Sequence, residues 1–236
     1  MVSGEWVLRM IVAVGADAME FGGWLRHCTG VRKLDWPVDF ARQSDWNGQA
    51  VTMVANGAGP RLAAAGLAVA RLALERERET VTAVMSIGWC GALDPALGLS
   101  DVFVALGVRT AAGDRAALAP RKMPAGTRRG VLWSGDRFVR TAAEKAELRG
   151  RGADAVDMEA AGLRFAGSFY AVRVVSDLAQ EDFALDFNQY RDSEGRFQKA
   201  RIALAGLRHP GDLIRMAKRG REAANALGEF LAECEL

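Results

Sequence analysis

The chain has 236 residues, half hydrophobic and a quarter charged, with 31 Lys and Arg against 29 Asp and Glu, a formal net charge of +2. That profile predicts one folded α/β domain over residues 1–236 with a sizeable core, and the even charge balance argues against a dedicated nucleic-acid binder. Cys28, Cys90 and Cys234 are too few and scattered for a disulfide framework or a zinc site, and His27 and His209 leave little room for a histidine metal centre or a Ser–His–Asp triad.

In chain order, short β-branched runs alternate with Ala-rich stretches, the pattern of a three-layer α/β/α domain with a mixed, mostly parallel sheet. The N-terminal stretch carries Glu5, lacks a basic leader, and its apolar run stops at Asp17, so no signal peptide is expected. No run reaches the roughly 18–20 apolar residues of a membrane span, and a cytoplasmic protein is the expectation. Strands are predicted over Val7–Val14, Ala50–Asn56, Val81–Ile87, Asp101–Leu106, Val131–Ser134 and Ala171–Ser176. The first three end in Gly15-Ala16-Asp17, Asn56-Gly57-Ala58-Gly59-Pro60 and Gly88-Trp89-Cys90-Gly91, turns of the kind that gather binding groups at the strand C-termini of α/β sheets. Helices are predicted from Pro60 to about Arg78, from near Met158, and from about Asp212 to Ala232. Arg109–Arg129 reads as a surface excursion and Glu181–Arg196 as a mobile polar loop.

Four segments place carboxylates or an aromatic at strand ends. They are Val14-Gly15-Ala16-Asp17-Ala18-Met19-Glu20, Leu132 through Ser134-Gly135-Asp136 to Phe138-Val139, Val156-Asp157-Met158-Glu159, and Val172-Arg173 through Ser176-Asp177. Singly each has a plain structural explanation: a helix cap, a charge in a first helical turn, or a core aromatic. Gly57-Ala58-Gly59 lacks the third glycine of a dinucleotide fingerprint, because position 62 is Leu62. Cys90 has no nearby histidine in sequence and reads as an inert thiol. His27 and His209 are assigned to structure or surface.

Taken in order, with Gly57-Ala58-Gly59 and Gly88 through Pro95 to Ser100-Asp101-Val102, these segments make six motifs between about Val12 and Asp177. They resemble the nucleoside phosphorylase/nucleosidase superfamily, and within it the methylthioadenosine/S-adenosylhomocysteine nucleosidases most closely. The resemblance implies cleavage of the N-glycosidic bond of a purine, and specifically adenosyl, nucleoside. Asp177 matches the acid that protonates the departing base, and Glu20 the carboxylate that activates water. Glu159 matches the residue that binds ribose hydroxyls, with Met158 against the sugar. Phe138 matches the aromatic on the purine, and the backbone of Val139 would read the base edge. Arg173 matches an arginine near the nucleophile pocket, and Ser176 and Trp89 are expected among the substrate-binding residues.

Trp89 departs from the pattern, standing where both branches usually carry a small hydroxyl residue, and would reshape the substrate pocket. An acidic Glu20 would repel a phosphate dianion and so favours water. Phosphorolysis, with phosphate as co-substrate, is the alternative within the enzyme class; a non-catalytic nucleoside-binding protein is the alternative outside it. The tail from Tyr190 through Leu207-Arg208-His209-Pro210 is loosely similar to hopanoid-associated phosphorylases. On that basis a basic face at Arg215, Lys218, Arg219 and Arg221 could rest on a membrane surface if the substrate were a lipid. No metal or organic cofactor is implied. A homo-oligomer, a dimer first, is the expected assembly.

Overall fold

The computed structural model describes residues 9–183, 185–207 and 210–236. The start of the first predicted strand (Val7, Leu8), the Glu5 region and His209 lie outside them. Strands β1 (Arg9–Gly15), β2 (Thr29–Lys33), β3 (Phe40–Trp46), β4 (Gln49–Ala55), β5 (Thr80–Ala92), β6 (Val102–Thr110), β7 (Gly113–Ala116), β8 (Arg128–Ser134), β9 (Ala155–Asp157) and β10 (Ser168–Asp177) form one sheet. Its order is β10-β6-β8-β9-β5-β1-β4-β3-β2, with β7 on β6 and a further pairing of β10 with β5. That last pairing closes β5, β10, β6, β8 and β9 into a ring, from which β1, β4, β3 and β2 extend.

The sheet is mixed as expected: the long registers β1–β4, β1–β5, β10–β5 and β6–β8, with the short β8–β9, are parallel, and β10–β6, β2–β3, β3–β4, β5–β9 and β6–β7 are antiparallel. Four of its strands were not predicted: β2 is an exposed edge strand, β3 is a polar strand between β2 and β4, β9 has three residues, and β7 turns back on β6 within the Arg109–Arg129 excursion.

Helix α2 (Pro60–Arg76) opens with Pro60 in its first turn and lays Ala63, Leu67, Ala70 and Leu74 on one face of the sheet, against Val12, Val14, Val54 and Val84. Helix α5 (Pro210–Ala232), which follows the short helix α4 (Lys199–Gly206), covers the other face with Ala223, Leu227, Phe230 and Leu231, joined by Phe21 and by Trp24 of α1 (Gly22–Leu25). The three layers follow from these two apolar faces. Helix α3 (Ala142–Gly150), which was not predicted, begins in a capping box in which the Thr141 side chain accepts from Glu144 N–H and the Glu144 carboxylate accepts from Thr141 N–H.

The helix expected near Met158 is absent. Glu159 leads into a 3-10 turn at Ala160–Gly162, and the chain must re-enter the sheet at Ser168. A Cβ at Gly162 would collide with the Pro60 carbonyl, so this turn is wedged against the start of α2 and has no room to continue as a helix. Among the described residues no helix is long and apolar enough to cross a membrane.

Candidate active site

Glu20, Arg173, Ser176 and Asp177 meet at the C-terminal end of β5, Ile87–Gly91. Glu20, in the 3-10 turn Ala18–Phe21 after β1, is buried (2 % exposed). Its Oε2 accepts from the N–H groups of Ala16 (2.6 Å) and Asp17 (3.1 Å), and its Oε1 accepts from Trp89 N–H (3.1 Å). Gly88, at φ 130°, is required here, because a Cβ at that position would overlap the Glu20 carboxylate. Burial pushes the Glu20 carboxyl above its ordinary range, opposed by Arg173 and the three backbone donors.

Arg173, on β10, is fully buried and central to the charge arrangement. Its Nη1 donates to the Ile87 carbonyl (2.8 Å) and to Glu159 Oε2 (3.2 Å), while its Nη2 reaches Ser86 Oγ and Asp157 Oδ2. Glu159 Oε1 accepts from Gly59 N–H (3.1 Å), which draws the glycine turn after β4 into the same centre. Burial pushes Glu159 up to about 7, with Arg173 opposing and Asp157 and Glu20 adding to the rise. Met158, beside it, is buried.

Asp177 ends β10 and is buried beside Gly91, where a Cβ would stand 2.8 Å from its Oδ2. Ser176 Oγ lies 2.8 Å from Asp177 Oδ1 and 3.2 Å from the Cys90 carbonyl. Lys145, from α3, places Nζ 2.6 Å from Asp177 Oδ2. Burial raises Asp177, while the Lys145 ammonium and the Ser176 hydroxyl pull it down. The Cys90 thiol is pushed up by burial, which keeps it a neutral, inert group.

Phe138 and Val139 follow β8 and are half-buried. The Phe138 ring meets Phe183 (4.8 Å) and Phe187 (4.9 Å) edge-on, and its N–H and C=O pair with the Asn188 side chain, both at 2.9 Å. Val139 packs beside Leu93 and Val156. The loop expected to be mobile is strapped across the strand ends. Arg191 binds Asp136 (2.7 Å), Arg196 binds Asp39 (2.8 Å) and Asn56 (3.2 Å), and Lys199 pairs with Asp17.

Trp89 brings only its backbone N–H to Glu20. Its ring packs with the α5 face of the core, where a Cβ on Gly220 would lie 3.2 Å from it. The basic run on α5 is largely paired: Arg219 with Glu181 (2.7 Å), Arg215 with Asp212, and Lys218 near Glu222 (3.8 Å). His27 is exposed, 3.8 Å from Glu229. Among the described residues no cluster of His, Cys, Asp and Glu could hold a metal ion. Lys145, Asn188, Phe183, Phe187 and Asp157 stand beside these residues without having been singled out by the sequence.

Residues 109–207 match the phosphorylase superfamily. Solved structures of the same fold include the 5'-methylthioadenosine/S-adenosylhomocysteine nucleosidase of S. pneumoniae (17 % identity, 95 % of this chain and 99 % of that one, TM-score 0.65). Futalosine hydrolase of Helicobacter pylori is as similar (18 %, 95 % and 96 %, 0.65). The methylthioadenosine/S-adenosylhomocysteine nucleosidase of Neisseria meningitidis aligns at 20 % identity over 94 % of this chain and 100 % of its own, with a TM-score of 0.60. No curated protein sequence matches the chain. The family match spans the last three of the six motifs, and the solved structures share the fold over nearly the whole chain.

Proposed function

We propose that this protein is an enzyme that hydrolyses the N-glycosidic bond of a purine nucleoside, specifically an adenosyl compound, with Asp177 as general acid and Glu20 as general base. The observation that carries this reading is that two buried carboxylates, Glu20 and Asp177, stand at the last residues of β5, and a third, Glu159, is joined to the same strand end through Arg173. Loss of a purine from ribose passes through an oxocarbenium-like sugar, and the base departs more easily when protonated. A buried carboxyl with a raised proton affinity, as at Asp177, suits that donation.

Lone pairs support the other two roles. A carboxylate offers about four acceptor sites. Glu20 has three taken by backbone N–H groups, which leaves one on Oε1 for a water molecule. Glu159 has two taken, by Gly59 and Arg173, and two remain for a pair of ribose hydroxyls, with Met158 alongside the sugar. Phe138 would meet the base, the Val139 backbone its edge, and Ser176 would hold Asp177.

Water is favoured over phosphate because Arg173 is already matched by Asp157 and Glu159. A phosphate dianion there would meet Glu20 without an unmatched guanidinium. The chemistry asks for no metal or organic cofactor, and a cytoplasmic homo-oligomer, a dimer first, remains the expected setting.

Incubation with methylthioadenosine, S-adenosylhomocysteine and adenosine, each with and without phosphate, tests the reading by adenine release. Release without phosphate supports hydrolysis. Release only with phosphate makes the protein a phosphorylase. Tight nucleoside binding without release under either condition makes it a binding protein.

A further inference from the structure

Lys145 is fully buried, a rare position for an ammonium group. Three acceptors surround its Nζ: Asp177 Oδ2 at 2.6 Å, the Leu178 carbonyl at 2.6 Å and the Glu181 carbonyl at 3.2 Å. Each of its three N–H bonds has a partner, so the charge is held in one place. The Phe183 ring closes over it at 5.5 Å. The two carbonyls alone would tie α3 to the chain beyond β10, and an amide side chain could do that without burying a charge. The third N–H is directed at the carboxyl that the proposed chemistry uses as its acid.

We propose that Lys145 is a positioning residue for base release: its ammonium holds the Asp177 carboxyl through Oδ2 and sets the upper pH limit at which that carboxyl can donate a proton. This rests on the reading of Asp177 as the acid. Ser176 Oγ on Oδ1 and Lys145 on Oδ2 grip the carboxyl from both oxygens, which fixes its plane at the sheet edge.

The other charged groups facing the pair largely cancel. The Glu181 carboxylate is bound by both Nη atoms of Arg219 on α5 (2.7 and 2.9 Å) and by Leu178 N–H (3.1 Å). Asp182 accepts from Ala142 N–H at the start of α3 (2.7 Å). On β5 the Cys90 thiol is neutral, and Arg173 is matched by Asp157 and Glu159. Among the described residues Lys145 is therefore the cation in contact with Asp177, with no second carboxylate to share its charge. Burial favours the protonated acid and the ammonium favours the carboxylate, so the two set the limit between them.

The test is the pH profile of kcat/KM in Lys145→Met, with Lys145→Gln as a second variant that keeps hydrogen-bond donors and drops the charge. An opposite charge in contact shifts a carboxyl by about 1–3 units, so both variants should move the alkaline limb upward by about that amount. Lys145→Met should also lose kcat at its optimum more than Lys145→Gln does. Infrared titration of the Asp177 carboxyl C=O stretch, assigned by its loss in Asp177→Asn, should show the protonated form persisting to correspondingly higher pH. An alkaline limb and a carboxyl titration that stay where they are in either folded variant overturn the proposal. Full activity in Asp177→Asn removes instead the reading on which it rests, and the infrared titration separates the two failures.

Discussion

Replacing Arg173 with Leu would leave the buried carboxylates Asp157 and Glu159 without their counter-ion. Both carboxylates contact the guanidinium, and arginine and aspartate side chains are 0 % exposed while Glu159 is 5 % exposed, so solvent screening offsets little of the loss. Removing one partner of a buried ion pair costs about 3–5 kcal/mol because the remaining charge has no compensation. Thermal melts at fixed protein concentration would register that as roughly 6–20 °C, at ~2–4 °C per kcal/mol for a chain of this size.

The loss has a definite pH dependence. Glu159 already has a folded-state proton affinity above the unfolded value, and the variant raises it further. A carboxyl raised on folding costs nothing while it is protonated in both states. It then destabilises progressively as pH climbs from the unfolded value through the folded one. The gap between Arg173→Leu and the unmodified protein should therefore be small near about pH 4 and largest at pH 7 or above. Adding Asp157→Asn and Glu159→Gln to the variant should recover most of the stability. A loss below about 1 kcal/mol at pH 7, or one that does not change with pH, would refute the reasoning.

Asp177→Asn should lower kcat by roughly 10²–10⁴-fold, because an amide donates no proton of carboxylic acidity; steady-state turnover within a few-fold of normal would remove Asp177 as the acid. Glu20→Gln should lose turnover to a similar degree while calorimetry still shows nucleoside binding, and unimpaired hydrolysis would take away the base. The pH profile of kcat/KM should be bell-shaped, with an acid limb above the ordinary glutamate range because burial raises Glu20, which must be ionised to act. An acid limb in the ordinary range or below contradicts that assignment. Trp89→Ser should lower stability by about 1–3 kcal/mol through lost packing on α5 and leave KM nearly unchanged; a large KM change at unchanged stability would place the ring in the substrate pocket.

The six predicted strands, α2 and α5 were legible because each buries an apolar run or face. Two missed elements did carry local signals. Asn47-Gly48, with φ of 53° and 77°, forms the tight turn between β3 and β4, and Thr141 with Glu144 is a capping box. β2 and β9 had no such signal, being respectively an exposed edge and a three-residue pairing fixed by its neighbours. The three site carboxylates were legible because each follows a strand within a recognisable motif. Lys145 was not: among Glu144, Lys145 and Glu147 it looks like one more charge on a solvated helix face, and only the packing of α3 against the end of β10 turns it inward. Asn188 and Phe187 were hidden for the same reason, since their partner Phe138 lies far away in sequence.

The central claim is that water, activated at Glu20, displaces the base. Turnover of an adenosyl substrate in water enriched in heavy oxygen, with phosphate present, tests it most directly. The account predicts heavy oxygen on the anomeric carbon of the released sugar and no sugar phosphate. A sugar 1-phosphate without the label would contradict it and assign the nucleophile to phosphate.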